Sequence, residues 1–395
     1  MSLAPLPYHR EVVAYLKSAE RELWQWASSA QARNDFAEPM RTELLKANYR
    51  LDLAGHPELT ERCAAVAQRL GVTVPITLYQ ATGGFGMNAM LCHFPGEAHI
   101  VFTGPILSML KGAEVEAVLA HELAHYRLWE MEGGDFLTAD RLLVAAANDP
   151  RAAISHAQTA RRFRLYTEIF ADRGALLGCE QLEATIAALV KTETGLSEVS
   201  AASYLRQADE IFSREDATTK GLEHPETFIR ARALRLWSER DAELETWLAA
   251  AIEGPLALDE LDLAGQQRMA RLTRRFLGEL LRPTWFQSAA VLAHARAFFP
   301  DFTPAAAPDE TLVAALATED AATREYLCYL LLDFAAIDRE LEDVPLAAAL
   351  DWSGRLDLEE PFEKLALKEL GMGKRPFNKL KKEAKTMLTK AEAKA

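Results

Sequence analysis

The sequence predicts a mainly α (α+β) fold, in which a core with a small β-sheet or hairpin is followed by a separate all-helical domain. Three observations support this prediction. Apolar residues recur with helical spacing over most of the 395 residues. The β-rich runs lie between residues 72 and 103. Beyond about residue 250, prolines punctuate Leu-, Ala- and Arg-rich stretches of helical period, which indicates a change of domain.

The length of the chain indicates that it contains more than one domain. A chain of 395 residues exceeds what one ordinary core supports. We predict an N-terminal helical segment over residues 1–55, a central domain over 56–250 and a C-terminal helical domain with a basic tail over 251–395. Helical spacing over residues 9–50 predicts one or two amphipathic helices that cover the central domain.

The central domain begins with one helix and three short strands, predicted at residues 57–70, 72–80, 88–93 and 98–103. Gly71 closes the helix. A Pro95-Gly96 turn separates the last two strands, which therefore form a hairpin. Glycines after the first strand predict a flexible loop at Gly83, Gly84 and Gly86.

The hairpin leads into a helix over residues 113–132 whose centre reads H-E-L-A-H from His121 to His125. Residues four apart lie on one side of a helix, so both imidazoles can face one point. Glu122 lies about 100° round the helix, which places its carboxylate beside a metal rather than on it. This is the zinc-binding H-E-x-x-H pattern of peptidases. The alternative is a surface helix with two histidines, but the apolar stripe of this helix predicts burial, where polar groups need partners.

A long helix over about residues 152–177 carries Glu168 and Asp172, which are four residues apart and face one side. A third zinc ligand and a carboxylate that orients a ligand imidazole would need this arrangement. Three protein ligands leave a fourth position open, as in catalytic zinc sites. The alternative is that both carboxylates pair with Arg164 and Arg173 on a solvated face.

Four motifs together resemble the HtpX and CAAX-prenyl-protease family of zinc metallopeptidases. H-E-L-A-H is followed at residues 168–173 by E-I-F-A-D-R, similar to the family's E-x-x-A-D. Asn88-Ala89 matches an Asn-Ala pair of that family, and residues 224–230 resemble its H-P-x-x-x-x-R segment. The motifs occur in the family's order, which makes the resemblance far more specific than the pentapeptide alone.

The resemblance implies a gluzincin fold and makes the central domain a zinc metallopeptidase domain, with the edge strand of a small sheet along the cleft. It implies that one zinc per chain is bound by His121, His125 and Glu168. Glu122 would be the general base, and Asp172 would orient the imidazole of His121.

The resemblance also implies catalytic roles for His224 and Arg230 near the cleft, where the family's histidine helps to bind the tetrahedral intermediate, and a substrate contact for Asn88. His224 is alternatively a residue that begins a helix, and Asn88 a turn residue. Many members have membrane spans beside the catalytic core and this sequence shows none, which argues against membrane substrates or prenylated peptides. Ala124 stands where glycine is frequent in the family.

The predicted function is that of a zinc-dependent metalloendopeptidase, which hydrolyses peptide bonds of a protein or peptide substrate by zinc-activated water. An endopeptidase is favoured because the chain has no G-x-M-E-N motif to bind a free amino terminus. We expect residues 98–103 to bind substrate as an added strand. The alternative is a non-catalytic zinc-binding scaffold that acts through its C-terminal helical domain, but the presence of Glu122 favours the enzyme.

Composition excludes a general nucleic-acid binder, because the formal net charge is −14. The four cysteines are far apart and form no C-x-x-C pair, which fits a reducing compartment. The first thirty residues lack the apolar core of a secretory signal, and no run of apolar residues predicts a membrane span. We therefore expect a cytoplasmic protein.

The C-terminal helical domain is a candidate surface for a protein partner. Residues 326–370 resemble the TerB-type helical bundle of tellurite resistance, and we interpret their acidic residues as a solvated face rather than a metal site. The tail from Lys374 to Ala395 contains eight basic residues. We interpret it as a solvated helix end, with docking to an acidic partner as the alternative.

Overall fold

Helices dominate the architecture. The structure is a computed structural model that describes residues 2–29, 37–83, 86–214 and 217–394. Helices make up 68% of it, as nineteen α-helices within the described residues, beside one sheet of four strands. The predicted mainly α (α+β) fold class is therefore confirmed.

The chain divides into two compact units. The first comprises Met1–Pro255 and Asp262–Ala264, and the second comprises Leu256–Leu261 and Gly265–Ala395. The division into three domains drawn from the sequence stays a prediction.

The first unit contains twelve α-helices and four strands within its described residues. Its helices are α1 (Pro7–Ala19), α2 (Arg21–Ala27), α3 (Ala37–Ala47), α4 (Pro57–Leu70), α5 (Ile106–Met109), α6 (Ala113–Glu130), α7 (Asp135–Ala147), α8 (Ile154–Cys179), α9 (Leu182–Thr194), α10 (Ala201–Arg214), α11 (Thr227–Glu239) and α12 (Leu244–Glu253). Its strands are β1 (Asn48–Leu51), β2 (Ile76–Ala81), β3 (Asn88–Phe94) and β4 (Glu97–Thr103).

The sheet has the strand order β1-β2-β4-β3. β3 and β4 form the predicted antiparallel hairpin, and β2 pairs with β4 in parallel. The expectation that residues 98–103 bind substrate as an added strand is wrong, because β4 is hydrogen-bonded to a neighbouring strand on both sides. Among the strands that the structure describes, β3 pairs with β4 on one side alone, and we call its other side, next to α6, the free edge.

Strand β1 is a second difference from the sequence prediction, which assigned residues 9–50 to helices. Its four residues pair antiparallel with β2, from Asn48 opposite Ala81 to Leu51 opposite Leu78. Residues 30–36 of that predicted segment lie outside the described residues, as does Gly84 of the predicted glycine-rich loop.

Helices α6 and α8 cross at small side chains, which brings their backbones close together. Gly174 of α8 faces Ala124 of α6, and Gly178 faces Ala120, so that a Cβ added at either glycine would overlap the alanine methyl. Both alanines are fully buried. The histidines His121 and His125 directly follow the two alanines on α6, and Asp172 lies two residues before Gly174 on α8. The close crossing therefore sets the separation between the motif side chains of the two helices.

Helix α1 also packs against α8. The imidazole of His9 is fully buried, with the edge of its ring against Phe163 at 4.9 Å between centroids. The Tyr8 hydroxyl donates to Asp262 over 2.5 Å, and Arg162 of α8 lies 3.0 Å from the same carboxylate. This buried polar cluster fixes both α1 and residues 262–264 on α8.

The second unit is helical throughout its described residues and has a core of its own, which includes Phe276, Phe334 and Phe362. Its helices are α13 (Leu263–Leu280, whose first two residues belong to the first unit), α14 (Ala289–Phe298), α15 (Leu312–Ala317), α16 (Ala321–Ala336), α17 (Val344–Arg355), α18 (Glu359–Glu369) and α19 (Lys374–Lys394).

The basic tail is the helix α19 and is more than a solvated end. Phe377 and Leu380 on one side of it are buried in the core of the second unit and Ala384 is buried as well, which leaves its lysines on the outer side. Among the described residues, the structure contains no helix that is both long and apolar enough to cross a membrane.

Candidate metal centre

Two imidazoles and one carboxylate meet where α6 crosses α8. The Nε2 atoms of His121 and His125 lie 3.2 Å apart. Glu168 approaches from α8, with Oε2 3.4 Å from Nε2 of His121 and Oε1 3.5 Å from Nε2 of His125. These three residues form the one group of potential metal ligands found among the described residues, with all ligand atoms within 4.8 Å of one another.

The spacing of these atoms fits a tetrahedral zinc ion. Zinc bonds to nitrogen and carboxylate oxygen of about 2.0–2.2 Å at tetrahedral angles place neighbouring ligand atoms roughly 3.3 Å apart. The 3.2 Å separation of the two Nε2 atoms lies close to that value, and each imidazole has one oxygen of Glu168 within 3.5 Å of its Nε2. Two imidazoles with one carboxylate are also a donor set of catalytic zinc sites. The residues present therefore fit the ion that the sequence predicts.

Asp172 contacts the imidazole of His121, and Arg230 in turn contacts Asp172. Asp172 Oδ1 lies 3.2 Å from Nδ1 of His121, and Arg230 donates to both oxygens of Asp172 over 2.8 and 2.6 Å. Burial disfavours the charged imidazole of His121, but Asp172 and Glu168 outweigh this and raise its pKa to about 10. The sequence placed Arg230 with the catalytic residues, whereas in the structure its guanidinium is engaged with Asp172.

The sequence offered Arg164 and Arg173 as alternative partners of Glu168 and Asp172, but each arginine pairs with a different carboxylate. Arg164 lies 3.6 Å from Glu223, and Arg173 lies 2.9 Å from Glu245. The interpretation of Glu168 and Asp172 as a solvated face is therefore wrong, because both carboxylates are buried and face α6 and α11.

Glu122 is buried between α6 and the hairpin, with 6% of its surface exposed. The backbone N–H of Leu91 in β3 donates to its carboxylate. Burial raises the pKa of Glu122 to about 6, against the opposing charge of His121. The carboxylate therefore lies next to the ligand histidines without belonging to their group, as the helical spacing predicts.

His224 lies on the loop before α11 and reaches the metal centre. Its Nδ1 is 2.8 Å from Oε2 of Glu168, and 52% of its side chain is exposed. Burial disfavours the charged form of Glu168, but hydrogen bonds with His121 and His224 outweigh this effect and hold its pKa well below the usual range.

Asn88 is the first residue of β3 and is exposed at the cleft. Its Oδ1 accepts the backbone N–H of Ala89 over 2.9 Å, and its carbonyl accepts the Thr103 hydroxyl over 3.2 Å. The amide side chain of Asn88 therefore lies near the cleft, and its oxygen accepts a hydrogen bond at the start of β3.

A cleft of 1220 Å³ joins these residues. One wall is the free edge of β3, and the loop with His224 forms another part of the lining. An apolar part of the wall is not predicted from the sequence and is formed by Val118, Ala188 and Leu189. Val118 could have been found, because it lies three residues before His121 on the same helix face. The helix α9 residues carry no sequence signal that relates them to the motif.

Comparisons with known proteins agree with this geometry. A model of peptidase family M48 matches residues 54–238. The plastoglobule-localized metallopeptidase 48, chloroplastic, of Arabidopsis thaliana is 30% identical over 169 residues, which cover 38% of this chain and 48% of that protein. The chain thus spans about half the length of this curated relative. No solved structure matches the chain.

These matches confirm the resemblance to the HtpX and CAAX-prenyl-protease family, since the M48 model covers all four motifs. The likeness of residues 326–370 to a TerB-type bundle lies outside the matched residues and stays a prediction. Residues 54–238 of this chain form a domain of peptidase family M48.

Proposed function

We propose that the protein is a zinc-dependent metalloendopeptidase that hydrolyses peptide bonds in protein or peptide substrates. The observation that supports the proposal is the grouping of the ligand atoms of His121, His125 and Glu168 within 4.8 Å of one another, with the buried Glu122 carboxylate beside them. The M48 domain supports a metallopeptidase.

Each buried side chain has a separate task in this reaction. Zinc bound by the three ligands would polarise the scissile carbonyl and bring the pKa of water toward neutrality. Glu122 accepts the proton of the attacking water and passes it to the leaving amine. Asp172 holds His121 through Nδ1, which fixes the tautomer that leaves Nε2 free to bind metal.

Two residues of the H-P-x-x-x-x-R segment have different roles. His224 is half exposed at the cleft and donates a hydrogen bond to the oxyanion of the tetrahedral intermediate. Arg230 acts through Asp172, so we propose it as a positioning residue rather than a catalytic one.

The substrate is an extended peptide that pairs with the free edge of β3. Backbone hydrogen bonds along this edge give affinity with little sequence preference. Asn88 at the start of β3 contacts the bound chain, and the apolar wall of Val118 and Leu189 accepts an apolar side chain. An internal segment of a substrate satisfies this arrangement, which favours an endopeptidase.

The non-catalytic scaffold remains the candidate from another class. The buried Glu122 argues against it, because a protein without chemistry has no need for an ionisable side chain buried beside the ligands. A cytoplasmic location, a protein partner of the C-terminal helices and the absence of nucleic-acid binding stay predictions.

The test compares zinc content and casein digestion of the wild type and of Glu122→Gln. The variant should keep its zinc and melting temperature but lose ~10²- to 10⁴-fold in rate, because an amide cannot accept the proton. Glu130→Gln is the matched control on the same helix and should digest casein normally. Equal digestion by Glu122→Gln and wild type would remove Glu122 as the base, and a zinc-free wild type would remove the proposal.

A further inference from the structure

The loop that carries His224 is held by an arginine of the ligand helix. We call residues 219–226 the His224 loop. Arg161 lies on α8 seven residues, or about two turns, before Glu168. Its Nε donates to the carbonyl of Gly221 over 2.9 Å, and its Nη2 donates to the carbonyl of Thr219 over 2.8 Å.

Other backbone hydrogen bonds close the loop around this contact. The N–H of Lys220 donates to the Glu226 carboxylate over 2.9 Å, and the N–H of Gly221 donates to the Thr219 hydroxyl over 3.2 Å. The N–H of Thr219 donates to the carbonyl of Ala251 over 2.8 Å. The path of the backbone up to His224 is therefore fixed by several hydrogen bonds. The two made by Arg161 connect the loop backbone to α8, beside the side-chain ion pair of Arg164 with Glu223 at 3.6 Å.

Gly221 shows how tightly the loop folds. A Cβ at this position would overlap the carbonyl oxygen of His224. A side chain at residue 221 would therefore push residue 224 away, so the position of His224 depends on the shape of the loop at Gly221. That is also the residue whose carbonyl Arg161 binds.

The side chain of His224 is half exposed and has its Nδ1 contact with Glu168 at 2.8 Å, so the backbone of the loop supplies the further restraint on its position. A guanidinium suits this task, since its planar fork binds two acceptors at once in a defined geometry. Because Arg161 and Glu168 are on one rigid helix, the contact relates the loop directly to a metal ligand.

We propose that Arg161 is a positioning residue that holds His224 at the metal centre through the carbonyls of Thr219 and Gly221. This inference rests on the proposed function of His224 in peptide hydrolysis. A merely structural role for Arg161 would stabilise the fold without relation to His224, and the experiment has to separate the two.

The kinetic test is a double-mutant cycle of Arg161→Gln and His224→Ala. In the wild-type background, Arg161→Gln should lower kcat by ~10- to 10²-fold with KM and zinc content unchanged, as expected when a group near the chemistry is misplaced. In the His224→Ala background, the same substitution should change kcat by less than ~2-fold. Equal losses in both backgrounds would overturn the proposal.

A second readout does not depend on activity. Hydrogen exchange of the peptide that contains residues 217–226 should be faster in Arg161→Gln and in Gly221→Ala, in both zinc-loaded and zinc-free protein. Arg151→Gln removes the same charge from an exposed arginine that pairs with Asp149, and it should leave exchange and kcat unchanged.

The two readouts distinguish the proposals. A wild type without peptidase activity would refute the proposed function, whereas the exchange comparison would still test the contact, and unchanged exchange in Arg161→Gln would overturn the inference. Faster exchange with unchanged kcat in an active enzyme would overturn it as well. If Arg161→Gln does not fold, Arg161→Lys and Gly221→Ala carry the same test, because each alters the loop contact while retaining a positive charge at residue 161.

Discussion

The crossing of α6 and α8 makes a prediction that opposes the usual effect of replacing glycine in a helix. On propensity alone, Gly174→Ala should stabilise the helix by about 1 kcal/mol. In the structure, the new methyl overlaps that of Ala124. Overpacking of a core costs about 1–3 kcal/mol, and a direct methyl overlap belongs at the upper end of that range. We therefore expect a net loss of about 2 kcal/mol.

A double variant that exchanges the alanine and the glycine tests the same contact. In Ala124→Gly with Gly174→Ala, the overlap is removed and the two propensity effects cancel, so the double variant should lie within about 1 kcal/mol of the wild type. Gly278 of α13 is the matched control, because an added Cβ there would make an ordinary contact at 3.6 Å. Gly278→Ala should not destabilise the protein.

Thermal unfolding followed by circular dichroism measures these effects. For a unit of this size, 2 kcal/mol corresponds to a fall of about 4–8 °C for Gly174→Ala. The same variant should lose zinc faster to a chelator, because separation of the helices moves Glu168 away from the two imidazoles. A melting temperature at or above that of the wild type, or no recovery in the double variant, would refute the close crossing.

Three further predictions concern the site and its support. His125→Ala and Glu168→Ala should each lose zinc on elemental analysis, because a site with three protein ligands depends on each of them, and full retention would remove the ligand assignment. His224→Ala should lower kcat by ~10²- to 10³-fold with KM, zinc content and melting temperature nearly unchanged, whereas a lower melting temperature with normal turnover would assign His224 to structure. Burial lowers the pKa of His9 to about 3 from 6.5, so the unfolded chain binds a proton that the folded protein excludes. The stability due to a neutral His9 is therefore complete above pH 6.5 and is lost as the pH falls, by about 2 kcal/mol between pH 7 and pH 5. This difference between wild type and His9→Leu is measurable by denaturant unfolding, and parallel pH profiles would contradict it.

The parts of the site that the sequence predicts are those that depend on one helix. His121 and His125, and likewise Glu168 and Asp172, are four residues apart, and the period of the helix alone places each pair on one side. Glu122 follows from the same geometry. The pairing of the two helices was inferred from the family resemblance, since no spacing along the chain relates residue 121 to residue 168.

The contacts that the sequence does not predict join distant segments of the chain. Arg230 is 58 residues from Asp172, and Arg161 meets a loop about 60 residues away. β1 is four residues long and follows a helix, so that only its pairing with β2 makes it a strand. The free edge belongs to β3 because β2 pairs with β4, and the hairpin pattern does not specify which of its strands pairs further.

Helix α8 combines several of these contacts on one continuous backbone. Arg161 holds the His224 loop, Glu168 is a ligand, and Gly174 and Gly178 set the distance to α6. An insertion or deletion of one residue would turn everything beyond it by about 100° relative to everything before it. The number of residues from Arg161 to Gly178 is therefore fixed by the structure, because a change in it would break the register between the His224 loop, the ligand Glu168 and the crossing with α6.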